Sequence, residues 1–168
     1  MVFIALKIKA DCEGVTKLRA PKEYPWCLKV RQSDGGEERD NEVFICSLES
    51  HDLTGSKGTA HFILKWDGAK KESYINVVEE VKGLEFGFDS EKNEFQTIAV
   101  FECRGMEPFA WIPKGDMIAE ATGNKSKTWN DIDLTEGEWA EYDDANDASV
   151  QILDIQHKFE TIKLPGKK

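Results

Sequence analysis

Apolar side chains recur at every second position along most of this chain, and that period suits strands packed face to face far better than helices. Ile4, Leu6, Ile8 and Ala10 share one face of the first segment, with Ala5, Lys7 and Lys9 on the other. Trp26, Leu28 and Val30 alternate with Cys27, Lys29 and Arg31, and residues 43–48 read as a returning strand. Between them stands Ser33-Asp34-Gly35-Gly36, a turn in which Asp and Gly tolerate positive φ. Ala60, Phe62, Leu64 and Trp66 alternate next, and Asp67-Gly68 signals a hairpin before a strand at residues 74–81.

Phe95, Thr97, Ala99, Phe101 and Cys103 alternate with Gln96, Ile98, Val100 and Glu102. This segment is apolar on both faces, as a central, covered strand would be. Residues 150–159 change face near Leu153, which predicts a bulged strand. Pro108, Pro113 and several glycines are expected to break the stretch after Cys103 into short pieces. Residues 136–148 are acidic and read as a short helical turn or an ordered loop. The expected fold is all-β, a single-domain pseudobarrel or folded-over sandwich of mostly antiparallel strands over residues 1–162, with a short polar tail at 163–168.

The 17 aromatics (9 Phe, 5 Trp and 3 Tyr) supply enough apolar area for a core and exclude a wholly disordered chain. The net charge of −10 repels nucleic acid, and the cations are scattered along the chain, with Lys70-Lys71 and Lys167-Lys168 the densest pairs. No segment approaches the about 18 apolar residues that span a bilayer. The first residues lack the features of a signal peptide, so the expected compartment is the cytoplasm, with nuclear entry by diffusion, and no membrane partner. Without a secretory route, the Asn124-Lys125-Ser126 sequon carries no weight. Cys12, Cys27, Cys46 and Cys103 form no C-x-x-C pair and read as free thiols.

Phe101-Glu102-Cys103-Arg104-Gly105-Met106-Glu107-Pro108 resembles the F-E-C-R-G-x-E-P stretch of the eukaryotic CXXC-motif-containing zinc-binding proteins. Asp131-Ile132-Asp133-Leu134-Thr135-Glu136, followed by Trp139, Tyr142 and Asp143, is similar to a second stretch of that family. Weaker likenesses surround Trp26-Cys27-Leu28-Lys29 and the glycine-to-alanine run from Gly55 to Ala60. The resemblance implies a mostly β pseudobarrel with no assigned enzymatic activity. It also implies two C-x-x-C pairs at hairpin tips, whose four thiolates suit tetrahedral zinc. Here those slots fall on Gln32 and Gly35 and on Trp66 and Ala69, none of which offers a thiolate or an imidazole. Asp34-Gly35 and Asp67-Gly68 are expected to hold the tips by turn chemistry instead, so the family zinc is expected to be lost and no cofactor is expected.

Cys27, Cys46, His51, His61 and His157 are the residues from which a relocated metal site would have to be built, and they share no ligand spacing. Cys103 has Glu102 and Arg104 beside it, Arg104 expected to lower the thiol pKa and Glu102 to oppose it. It lacks a neighbouring histidine base and reads as a core thiol. No catalytic residue is assigned. Trp139, Tyr142, Asp143 and Asp144, with Trp129 just upstream, make a candidate docking patch for a basic protein, the rings supplying area and the carboxylates steering encounter. Lysine at both Asp143 and Asp144 is expected to leave stability nearly unchanged. The reading is a non-catalytic binding or adaptor domain; the alternative is a metal-handling protein that binds zinc weakly through relocated Cys and His residues.

Overall fold

In the computed structural model, which describes residues 1–122 and 125–164, the alternating segments are strands. Asn124 of the sequon and residues 165–168 of the tail, Lys167-Lys168 included, lie outside the described residues. No helix among the described residues is long and apolar enough to cross a membrane.

The strands are β1 (Val2–Glu13), β2 (Lys17–Arg19), β3 (Trp26–Gln32), β4 (Val43–Ile45), β5 (His51–Asp52), β6 (Thr59–Ala60), β7 (Phe62–Leu64) and β8 (Ser73–Val78). They continue as β9 (Phe88–Asp89), β10 (Gln96–Arg104), β11 (Met106–Ile112), β12 (Met117–Thr122), β13 (Ser126–Ile132), β14 (Trp139–Asp143) and β15 (Ala148–Ile162). A six-stranded sheet runs β14-β15-β1-β10-β8-β7. A three-stranded sheet, β11-β3-β4, and a four-stranded sheet, β13-β12-β2-β9, accompany it, with β5 and β6 forming a small hairpin. Every pairing between the strands is antiparallel.

The face partition of β1 follows its sequence. Ile4, Leu6, Ile8 and Ala10 enter the main core with Trp26, Leu28 and Val30 of β3 and with Phe101 and Cys103 of β10. Phe3 and Ala5 point the other way, into a smaller cluster with Val100 and Leu164. This second cluster explains why β10 is apolar on both faces: the strand lies between β1 and β8 and is covered on each side. Each large side chain so buried contributes about 1.5–3 kcal/mol, which is why the register of β10 is strongly specified.

The bulge in the last strand sits where the face changes. Lys9 pairs with Gln156 and Asp11 with Leu153, so β15 carries one extra residue there. Asp154 takes φ 52°, an uncommon value that a bulge accommodates.

Three expectations need correction. Residues 136–148 are not helical and are loop only in part: β14 at their centre pairs with β15 in a hairpin, Trp139 opposite Ile152 and Asp143 opposite Ala148, with a turn at residues 144–147 between the two strands. An edge strand needs few apolar positions, so backbone pairing decided what the side-chain pattern concealed. The stretch after Cys103 forms full strands, and Pro108 is tolerated in β11 because the register with β3 shifts just beyond it. The returning strand at 43–48 is confined to β4. The hairpin that Asp67-Gly68 signals does form between β7 and β8, with residues 65–72 as its loop because Leu64 pairs with Ser73.

Candidate functional site

The two tips that the resemblance marks are both closed by hydrogen bonds of their own. At the first, the Gly35 amide donates to the Gln32 carbonyl at 3.1 Å, with Gly35 at φ 80°. The Gln32 amide donates to the Glu37 carbonyl at 2.9 Å, and the Glu37 amide donates to the Gln32 side-chain oxygen at 2.7 Å. Asp34 adds an Asx turn, its carboxylate accepting from the Gly36 amide at 3.0 Å. At the second tip, the Ala69 amide donates to the Trp66 carbonyl at 3.0 Å, and Gly68 takes φ 79°. Trp66 turns its indole into the main core and is 6% exposed. Its buried Nε1 has no hydrogen-bond partner among the described residues.

Gly105, the glycine of the F-E-C-R-G motif, stands between these tips. Its carbonyl accepts from the Ser33 amide of the first tip at 3.3 Å. It also lies against Ser73, where the strand after the second tip begins, and takes φ 77°. The motif's glycine is thereby explained by the backbone it permits.

This donor set does not fit zinc. Gly35 and Ala69 carry no ligand atom, the indole N–H of Trp66 is a donor only, and the side-chain oxygen of Gln32 already accepts from Glu37. Among the described residues, no group of three or more His, Cys, Asp and Glu is placed to hold a metal ion. The relocated candidates are committed elsewhere. His61 Nδ1 accepts from the Val77 amide at 2.8 Å, and His157 Nε2 accepts from the Trp111 amide at 3.2 Å. Each bond uses the ring lone pair a metal would need, and burial lowers both imidazole pKa values. Cys27 is buried, Cys46 donates toward the Glu23 carbonyl at 3.4 Å, and His51 is exposed, 3.9 Å from Glu49.

Cys103 is 1% exposed, and burial foremost, then Glu107 and Glu102, pushes its thiol up to about 12. The expected lowering by Arg104 does not occur, because Arg104 is exposed and away from the core. A thiol held this far from ionisation is a poor nucleophile at neutral pH.

The acidic patch is divided by the fold. Trp139 packs against the core edge-on to Trp129, ring centroids 5.4 Å apart, and anchors the hairpin. Tyr142 is 49% exposed. Asp143 is 1% exposed and does not face solvent: its carboxylate accepts from the Ala145 amide at 3.0 Å, the Asn146 amide at 3.2 Å and the Asn146 side chain at 2.8 Å. These bonds, the Asn146 side chain first, hold its carboxyl below the usual range. Asn146 in turn donates to the Lys125 carbonyl at 2.7 Å, tying the turn to the start of β13. Asp144 is exposed and pairs with Lys127 at 2.6 Å. The expectation that lysine at both aspartates leaves stability unchanged is therefore corrected at Asp143, which organises the turn from within. Only Tyr142 and Asp144 of the four face outward.

Comparison with known proteins agrees with the family resemblance that the motifs carry. A UPF0587 protein of Caenorhabditis elegans is 35% identical over the full length of both chains. The human CXXC motif containing zinc binding protein is 34% identical, the match covering 93% of this chain and 96% of that protein. The crystal structure of C1orf123 superposes with a TM-score of 0.83 at 31% identity, covering 95% of this chain and 99% of that one. The family model described as "CXXC motif containing zinc binding protein, eukaryotic" matches residues 5–160. On these matches this chain belongs to that family, and it contains no C-x-x-C pair.

Proposed function

We propose that this chain is a non-catalytic binding or adaptor domain, a relative of zinc-binding proteins that folds and works without the family's zinc. One observation carries the reading: both tips are closed by their own turn hydrogen bonds, and the Trp66 indole lies in the core. Structural zinc stabilises a fold by cross-linking its ligands. Here apolar burial of an indole and the Gln32 and Asp34 bonds take that part. The buried, hard-to-ionise thiol of Cys103 further supports a role without covalent chemistry.

The partner we propose is a basic protein in the cytoplasm, met by Tyr142 and Asp144. Glu136, Glu138 and Glu141 are exposed around them. Neighbouring carboxylates of one sign steer an oppositely charged surface, and a half-exposed tyrosine supplies contact area.

Metal analysis of protein purified from zinc-supplemented culture, before and after chelator treatment, tests the central claim. The expected result is zinc well below one ion per chain and the same melting temperature with and without chelator. Stoichiometric zinc that chelation removes with loss of stability would overturn the reading and favour relocated Cys and His ligands.

A further inference from the structure

Three lysines of one loop meet an arginine that is distant in the sequence. Lys65, Lys70 and Lys71, from the loop at residues 65–72, line a groove of about 1020 Å³ together with Arg104 at the end of β10. The register of β8 with β10 sets Tyr74 opposite Arg104 and Asn76 opposite Glu102, so these four side chains rise from one solvent-facing side of the sheet. The loop between β5 and β6, residues 53–58, contributes the far side of the groove.

The charges of this groove are unbalanced. All four cations are exposed, and none has an ion pair, hydrogen bond or ring contact among the described residues. The two carboxylates that line it are already engaged. Glu72 accepts from the Thr54 amide at 2.7 Å, and Glu102 accepts from the Asn76 side chain at 3.3 Å. Four cations against two carboxylates leave the groove with a net charge of about +2 in a protein of net charge −10, which makes it a place for an anion.

We propose that this groove binds an acidic peptide segment of a partner protein. The cations are spread from the 65–72 loop to β10, which suits carboxylates repeated along an extended chain better than one compact anion. The volume is at the upper end of small-ligand pockets and accommodates several residues. Nucleic acid fits less well, because a backbone longer than the groove would meet the surrounding negative field. The proposal is independent of whether the chain holds zinc and concerns a surface of opposite sign to the Tyr142 and Asp144 face.

The test is fluorescence anisotropy with a labelled ten-residue glutamate-rich peptide at low and at physiological salt. The proposal expects saturable binding to the intact protein that weakens with salt. It expects a loss of roughly tenfold or more when Lys65, Lys70 and Lys71 are each replaced by glutamate, the cost of replacing attraction by repulsion at three close sites. A control variant with Lys22→Glu, Lys82→Glu and Lys92→Glu makes the same change in net charge at exposed sites outside the groove, and is expected to bind within about twofold of the intact protein, since distant charges are screened. Both variants are compared at matched melting temperatures. An equal loss in the two variants, no binding to the intact protein, or tighter binding of a single-stranded RNA ten-mer than of the peptide would each overturn the proposal.

Discussion

Gly105 lies so close to Ser73 that a Cβ carbon built on it would stand 2.3 Å from the Ser73 hydroxyl oxygen and 3.0 Å from the Ser73 Cβ. The hydroxyl can rotate away, whereas the Cβ is fixed to a strand paired on both sides. Gly105 also takes φ 77°, where an L side chain is strained. Gly105→Ala is expected to destabilise the protein by about 1–3 kcal/mol through contact and strain together. Urea unfolding measures this, and Ser73→Gly in the same background should recover only part of the loss, because the φ strain persists. Full recovery would assign the whole effect to the contact.

Trp66 lies in the core at a position where the resemblance implies a cysteine, with its N–H buried and without a partner among the described residues. Removing the ring leaves a cavity, so Trp66→Ala is expected to cost about 3–5 kcal/mol. Trp66→Phe loses some volume but also removes the unpaired donor, and should cost about 1 kcal/mol. Equal losses in the two variants, measured by chemical denaturation, would show that the indole N–H has a partner in solution.

Asp143 links the β14–β15 turn to pH. Its folded-state pKa is depressed, chiefly by the Asn146 side chain, so the stability it contributes is present above the unfolded aspartate value of about 3.9. That stability is lost as pH falls through the lower folded value. Denaturation midpoints between pH 6 and the acid limit should therefore fall less steeply for Asp143→Asn than for the intact protein. Asp133 and Asp144 are also depressed, by Thr135 and by Lys127, and supply the acid sensitivity that remains in the variant.

The thiols should separate by burial. Cys27 and Cys103 are buried, and burial raises Cys12 to about 11 and Cys103 to about 12. In native protein at neutral pH, alkylation followed by mass spectrometry is expected to label Cys46 first, with Cys27 and Cys103 reacting only on unfolding. Rapid labelling of Cys103 would mark an activated nucleophile and reopen a covalent role.

Replacing Tyr142 by serine and Asp144 by lysine examines the acidic hairpin face without disturbing Asp143. Both side chains are exposed, so the melting temperature should change only by the loss of the surface pair between Asp144 and Lys127. Binding to an arginine-rich peptide, followed by calorimetry, is expected to weaken. Unchanged affinity would remove this face from the proposed function.

What the sequence determined by itself was local in origin. Period-two alternation in β1, β3 and β10 marked the strands and their buried faces, since each residue's face depends only on its neighbours along the strand. The face change near Leu153 located the bulge for the same reason, and two spaced motifs identified the family while showing which slots lacked cysteine. What only the tertiary structure decided depends on register between distant segments. β14 formed by pairing with β15 rather than by its own pattern, and Asp143 was buried because the turn folds around its carboxylate. Arg104 joined Lys65, Lys70 and Lys71 because β10 pairs with β8 in one register, and the separation of Arg104 from those lysines in the sequence hid the groove. The motif glycine likewise acquired its meaning from Ser73, a contact set by packing and invisible to any local rule.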